Sequence, residues 1–193
     1  MQLLEEHSTT AHGEEADIMQ RAKVLTLKAR IYDKAGVPQK GFSVALRAAS
    51  LAYKARVLPV LWEAIRAICR VLISLKEFAA ALRLLESIMP QVLECEDYEL
   101  AAECFLSLAD AYMGMAGSAM SEPLKRKEHM TKSLDCLDRA FDGFSRIDDV
   151  KGQCEAMAKK ATIMHLNGDL VLANDCAAKY LVIEKAAREE LSS

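Results

Sequence analysis

Residues 62–95, WEAIRAICRVLISLKEFAAALRLLESIMPQVLEC, decide the fold. They read as two amphipathic helices with a short break near Leu75-Lys76. In the first helix Trp62, Ile65, Ile68, Cys69 and Leu72 fall on one stripe, and in the second Phe78, Ala81, Leu85 and Ile88 do the same. Apolar residues at i, i+3, i+4 and i+7 give a helix one face to bury. Cys69 and Ala81 are small residues at the seam where the two helices meet. A helical hairpin cannot bury both its faces alone, so the pattern predicts copies of itself on either side.

The pattern recurs at fixed spacing. Ala29 lies 40 residues before Cys69, Ala109 lies 40 after it, and Ala161 follows 52 further on. From Ala81 the matching positions are Gly41, 40 back, then Ser133, 52 ahead, then Ala173, 40 beyond that. Larger residues keep the same register: Tyr32, Leu72, Tyr112 and Met164 in the first helices, Ala45, Leu85, Leu137 and Ala177 in the second. The sequence thus predicts an all-α fold, a helical-hairpin solenoid of four repeats of about 40 residues. The repeats fall at 14–57, 58–96, 97–147 and 149–191 of a single domain spanning 1–193. The alternative is an ordinary helical bundle whose hairpins are evenly spaced.

Composition agrees with this class. The chain of 193 residues is 52% hydrophobic and 6% aromatic, with 8 Gly and 4 Pro, which leaves little material for long loops. A formal net charge of −3 supplies no global field to attract nucleic acid. No apolar run reaches the roughly 18 residues of a membrane span, and no signal-peptide pattern is read. Cys69, Cys95, Cys104, Cys136, Cys154 and Cys176 form no CxxC pair. They read as reduced core thiols of a cytosolic or nuclear protein, without the paired short spacings of a zinc site.

Taken in order, MQLLEEH (1–7) reads as the tail of a helix, and Ser8, Thr9, Thr10 and Gly13 as its break. That opening implies a chain continued from a longer protein. Gly36 is placed to cap the first helix of repeat one, and Pro38 to open the second. Pro59 marks the start of repeat two, and Pro90 should kink or end the second helix of that repeat. Glu94, Glu96, Asp97 and Glu99 form an acidic helix start. GMAGSAMSEPLKRKE (114–128) carries the insertion and reads as a flexible, solvated loop. Its Lys125, Arg126 and Lys127 offer a docking patch or modification site as the alternative. Asn167-Gly168-Asp169 is a turn between helices, and the last helix, ending KAAREELSS, is expected to close the array with a polar outer face.

The repeat register resembles the tetratricopeptide-repeat family. The four copies present Ala29, Tyr32, Gly41, Ala45 and Ala48, then Cys69, Leu72, Ala81, Leu85 and Ile88. Ala109, Tyr112, Ser133, Leu137 and Ala140 follow, and last Ala161, Met164, Ala173, Ala177 and Tyr180. Trp62 stands at the first motif position instead of the fourth, and the period exceeds the family's roughly 34 residues. KAGVPQKGFSVALRAASLAYKARVLPVLWEA (34–64), LKEFAAALRLLESIMPQVLE (75–94), LADAYMGMAG (108–117) and KGQCEAMAKKATIMHLNGD (151–169) carry a closer likeness. They resemble the C-terminal repeats of the subunit-five family of the anaphase-promoting complex. That resemblance implies a non-catalytic scaffold in a cell-cycle ubiquitin ligase, in nucleus and cytoplasm, with other protein subunits as partners. It implies no cofactor, metal, nucleic acid, membrane or small-molecule substrate.

The resemblance also implies a groove on the concave face. In family register its first half is Lys23, Thr26, Arg30, Asp33, Glu63, Arg66, Arg70 and Ile73, basic through Lys23, Arg30, Arg66 and Arg70. Its second half is Glu103, Leu106, Asp110, Met113, Glu155, Ala158, Thr162 and His165, acidic and apolar. Partner contacts are expected at Lys23, Arg30, Arg66, Arg70, Asp110, Met113, Thr162 and His165, and repeat packing at Ala29, Tyr32, Cys69, Ala81, Ala109, Tyr112, Ala161 and Ala173. Co-chaperone members clamp a carboxylate with Lys and Asn, and no Asn stands at any of these groove positions. No GxxxxGK[ST], GxGxxG or HExxH motif occurs, so no catalytic residue is assigned. A free-standing peptide-binding adaptor is the other functional reading.

Overall fold

The computed structural model describes residues 2–190, with side chains described for 16–189 apart from Asp33, Lys34 and Pro38. Expectations placed on the side chains of residues 1–15, on Asp33 in the groove and on residues 191–193 lie outside the described residues. Among these residues the chain forms eight helices and no strand. They are α1 (Gln2–Lys34), α2 (Pro38–Lys54), α3 (Leu58–Ser74), α4 (Phe78–Glu94), α5 (Tyr98–Ser118), α6 (Pro123–Arg146), α7 (Val150–Leu166) and α8 (Leu170–Glu190). They divide into two compact units, 1–88 and 89–193. In the first, α1, α2 and α3 pack against one another, and in the second α5 packs on α6, α6 on α7 and α7 on α8.

The helices are cut to length by a recurring turn. α2, α3, α4 and α7 are each 17 residues long. Gly36, Arg56, Lys76, Glu96, Asp148 and Gly168 all have positive φ, between 54° and 86°. The first four stand 20 residues apart and the last two repeat that interval. At five of these turns the amide after the left-handed residue reaches back to a carbonyl five residues earlier. Val37 donates to Tyr32, Val57 to Ala52, Glu77 to Leu72, Asp149 to Phe144 and Asp169 to Met164, at 2.8–3.1 Å. These are Schellman caps, which satisfy carbonyls that the helix end leaves open. The predicted break at Leu75-Lys76, the Gly36 cap and the Asn167-Gly168-Asp169 turn are all of this kind. Asp97 and Asp149 cap the following helices, accepting from Leu100 N–H at 2.9 Å and Gly152 N–H at 3.1 Å.

Small residues let the helices approach. A Cβ on Gly41 would sit 3.1 Å from the Ala29 carbonyl oxygen and 3.3 Å from Tyr32 Cβ, so α1 and α2 nearly touch at the predicted seam pair. At the matching α5–α6 pair the buried Ser133 hydroxyl donates to the Ala109 carbonyl at 2.9 Å. Cys69, Ala81 and Ala173 are buried as well, while Tyr32, Tyr112 and Ala161 are partly exposed. A further close approach, Gly143 against Ala102, joins α5 and α6, with a Cβ 2.9 Å from the Ala102 methyl.

Four expectations are corrected. α1 runs through Ser8–Thr10 and Gly13 without a break, because such residues cost only tenths to about 1 kcal/mol each in a helix that propagates cooperatively. Pro90 does not end its helix: it lies inside α4, which continues to Glu94. The insertion is helical: Met113–Ser118 extend α5 and Pro123–Glu128 open α6, leaving a short turn between. The outer side of α8 is mixed where a polar cap was expected: Leu170, Val171, Leu181 and Val182 are each more than half exposed, beside exposed Asn174, Asp175, Lys179 and Lys185.

Two glycines should respond oppositely to alanine. At Gly152 the new Cβ would lie 2.4 Å from the buried Phe144 ring, whereas at Gly117 nothing lies within 4 Å. Gly152→Ala should cost about 1–3 kcal/mol by overpacking, and Gly117→Ala should gain up to about 1 kcal/mol in helix propensity, read from urea denaturation. Arg56→Gly, Lys76→Gly and Glu96→Gly relieve a left-handed backbone and should each raise stability by about 0.5–1 kcal/mol in the same assay.

Candidate functional site

α5, α6 and α7 of the second unit enclose a cleft of about 210 Å³ lined by Ala109, Asp110, Met113, Ser133, Leu137, Lys159, Thr162 and Ile163. Each helix brings its part through its own periodicity. Ala109 and Met113 stand one turn apart on α5, Ser133 and Leu137 one turn apart on α6, and Lys159 and Ile163 one turn apart on α7. Ala109, Ser133, Leu137 and Ile163 are buried and form the floor. The Ser133 hydroxyl is engaged by the Ala109 carbonyl, so the floor presents mostly carbon. Asp110 and Lys159 stand at the rim, their charged atoms 2.5 Å apart and their side chains about one-quarter exposed. Lys159 also lies 3.3 Å from Glu155 on its own helix. A second cross-helix pair, Lys160 with Asp138, ties α7 to α6.

Of the residues expected to contact partners, Asp110, Met113 and Thr162 come together in this cleft. His165 does not line it; it is exposed in the last turn of α7, where a cation suits the helix dipole. Lys23, Arg30, Arg66 and Arg70 belong to α1 and α3 of the first unit. Lys23 is exposed and Arg30 and Arg70 are half-buried. Arg66 is only 6% exposed, which corrects its reading as an open groove cation. Sequence register missed Lys159, since no local motif announces an ion pair between residues 49 positions apart.

The second surface is the outer side of α8. Val171, Ala178 and Val182 recur at i, i+7 and i+11 on the side opposite the buried Ala173 and Cys176, with exposed Asn174 and Asp175 between them. The first unit has an equivalent on α1, where Val24, Leu27 and Ile31 are 56–58% exposed at i, i+3 and i+7. Chemistry-bearing groups are differently placed. Among the described residues all six cysteines are free, four of them buried. Burial first, and then the Glu184 carboxylate, push the Cys154 thiol above its ordinary pKa and keep it protonated. No group of three or more His, Cys, Asp or Glu is placed to hold a metal among the described residues. No described helix is long and apolar enough to cross a membrane.

Among the described residues, these surfaces belong to paired helices with a small cleft between α5, α6 and α7 and exposed apolar side chains on α1 and α8. No protein-family model matches the chain, and no curated protein matches it at a significant level.

The rim pair invites a direct measurement. A double-mutant cycle of Asp110→Ala and Lys159→Ala should return a coupling of about 0.5–1.5 kcal/mol, above the value of a fully exposed pair and falling as salt is added.

Proposed function

We propose that the chain is a non-catalytic scaffold that holds other proteins through a solenoid of tetratricopeptide-like hairpins. The exposed Leu170, Val171, Leu172, Leu181 and Val182 of α8 carry this reading, since clustered exposed apolar side chains mark a protein interface. The turn that recurs every 20 residues supports the hairpin array. The resemblance of 34–64, 75–94, 108–117 and 151–169 to the subunit-five family extends the proposal. On that basis the assembly is the anaphase-promoting complex, the partners are its other subunits, and the location is nucleus and cytoplasm.

A peptide-binding adaptor is the second reading, and the cleft between α5, α6 and α7 favours it. At about 210 Å³ the cleft suits one bulky side chain of a partner. The two readings separate by affinity purification of the chain from dividing cells. Recovery of ubiquitin-ligase subunits supports the scaffold, and recovery of heat-shock chaperones supports the adaptor. Val171→Asp with Val182→Asp should remove the scaffold partners at least about tenfold while leaving the helical signal intact, because both side chains point into solvent. Retention of every partner by that variant would remove the α8 face from the proposal.

A further inference from the structure

The insertion that breaks the repeat period builds a projecting tip. α5 has 21 residues and α6 has 24, against 17 in α7. At about 1.5 Å per residue the excess lengthens the hairpin by roughly 6 Å on one helix and 10 Å on the other. The tip spans 118–128. Leu124 is 86% exposed, the most of any large apolar residue described, and Met120 is 67% exposed.

Its charges oppose its own helix. α6 opens with Pro123, Leu124, Lys125, Arg126 and Lys127, and its first turn holds no acidic residue. Cations here face the positive end of the helix dipole, the unfavourable arrangement. Glu122, at the N-cap, makes no capping hydrogen bond and pairs with Lys125 at 2.5 Å. That bond raises the Lys125 pKa above its ordinary value, and Lys132 draws the Glu128 carboxyl below its own. Lys125 and Glu128 are thus answered within the helix, whereas Arg126 and Lys127 form no ion pair among the described residues. The neighbouring starts, α5 and α7, are capped by Asp97 and Asp149. The starts of α2 and α3 also lack a side-chain cap and an acidic first turn; the α6 start differs in setting Arg126 and Lys127, unpaired among the described residues, beside exposed Leu124 and Met120.

We propose that the α5–α6 tip docks an acidic segment of a partner protein. Carboxylates of the segment meet Arg126 and Lys127, and one apolar side chain of it covers Leu124 and Met120. The inference rests on the protein-binding role proposed above and uses no residue of the cleft or of α8. A membrane surface fits less well, since basic clusters that hold membranes carry about 4–8 cations, and here Glu122 and Glu128 lie among them. Single-stranded nucleic acid fits less well too, because bases stack on aromatic rings and 118–128 contains none.

The test uses the full chain and an array of peptides about 12 residues long, acidic with one central Phe or Leu, beside copies with Asp and Glu changed to Asn and Gln. Anisotropy should show binding to acidic members and not to their amide copies. Arg126→Glu with Lys127→Glu should weaken it at least about tenfold, and Leu124→Ser should weaken it several-fold. The same charge reversal should leave the thermal midpoint unchanged or raised, since it now suits the dipole; that separates lost binding from lost folding. Absence of acidic-peptide binding overturns the proposal, as does binding that survives both variants. Preference for phosphatidylserine vesicles or for a single-stranded oligonucleotide over the peptides overturns it as well. If the wild-type chain purifies with no partner at all, the underlying binding role fails; if partners persist while the peptides fail, only the tip assignment does.

Discussion

A 17-residue helix rises about 25 Å and must then reverse within three residues. At the ends of α1, α2, α3, α4, α6 and α7 a left-handed residue makes that reversal possible. It lets the next amide turn back onto the carbonyl five residues earlier, so the helix closes its own end and the next can start at once. Where the turn recurs at 20-residue intervals, α2, α3 and α4 come out at 17 residues each. Ala29 meets Gly41 across the Gly36 turn, and Ala109 meets Ser133 although α5 and α6 differ in length and join without a left-handed residue. A register error of one residue at any turn would rotate a helix by about 100° and place a large side chain in the seam.

The seam was legible because it is written in residue size. Ala29, Gly41, Ala109 and Ser133 stand at fixed spacing, and close packing admits few other side chains there. Turn positions were only half legible. Gly36 and Gly168 announce a left-handed backbone, but Arg56, Lys76, Glu96 and Asp148 adopt it against their own preference. The surrounding helices impose that conformation, so no local pattern carries it. Pro90 fails to end α4 for a related reason. A proline removes one amide donor, and a helix anchored by buried Leu85, Ile88 and Val92 on the same face withstands that loss.

The site was legible in part. Asp110, Met113 and Thr162 follow from helix register and do converge. Lys159 was invisible because its partner is distant in sequence and Lys is usually a surface residue. The same limit hid the α8 face. Val171, Ala178 and Val182 share one side of the helix, but the polar ending KAAREE dominates the eye, and only three-dimensional packing tells which side Ala173 and Cys176 have already buried.

Two kinds of surface follow from one architecture. In the cleft, three helices are held by the Ser133 hydroxyl and by the Asp110–Lys159 and Lys160–Asp138 pairs, so its shape is set before anything enters and little ordering cost falls on binding. Such a cleft selects one side chain and contributes little area. The exposed apolar side chains of α8 are the reverse: they select weakly and contribute area. On the proposed scaffold role the two are complementary, since a lasting contact needs area and a correct contact needs a fixed point of orientation. An adaptor for short peptides needs the fixed point alone. The exposed apolar side chains of α8 are surplus to that task, whereas the proposed scaffold role uses them.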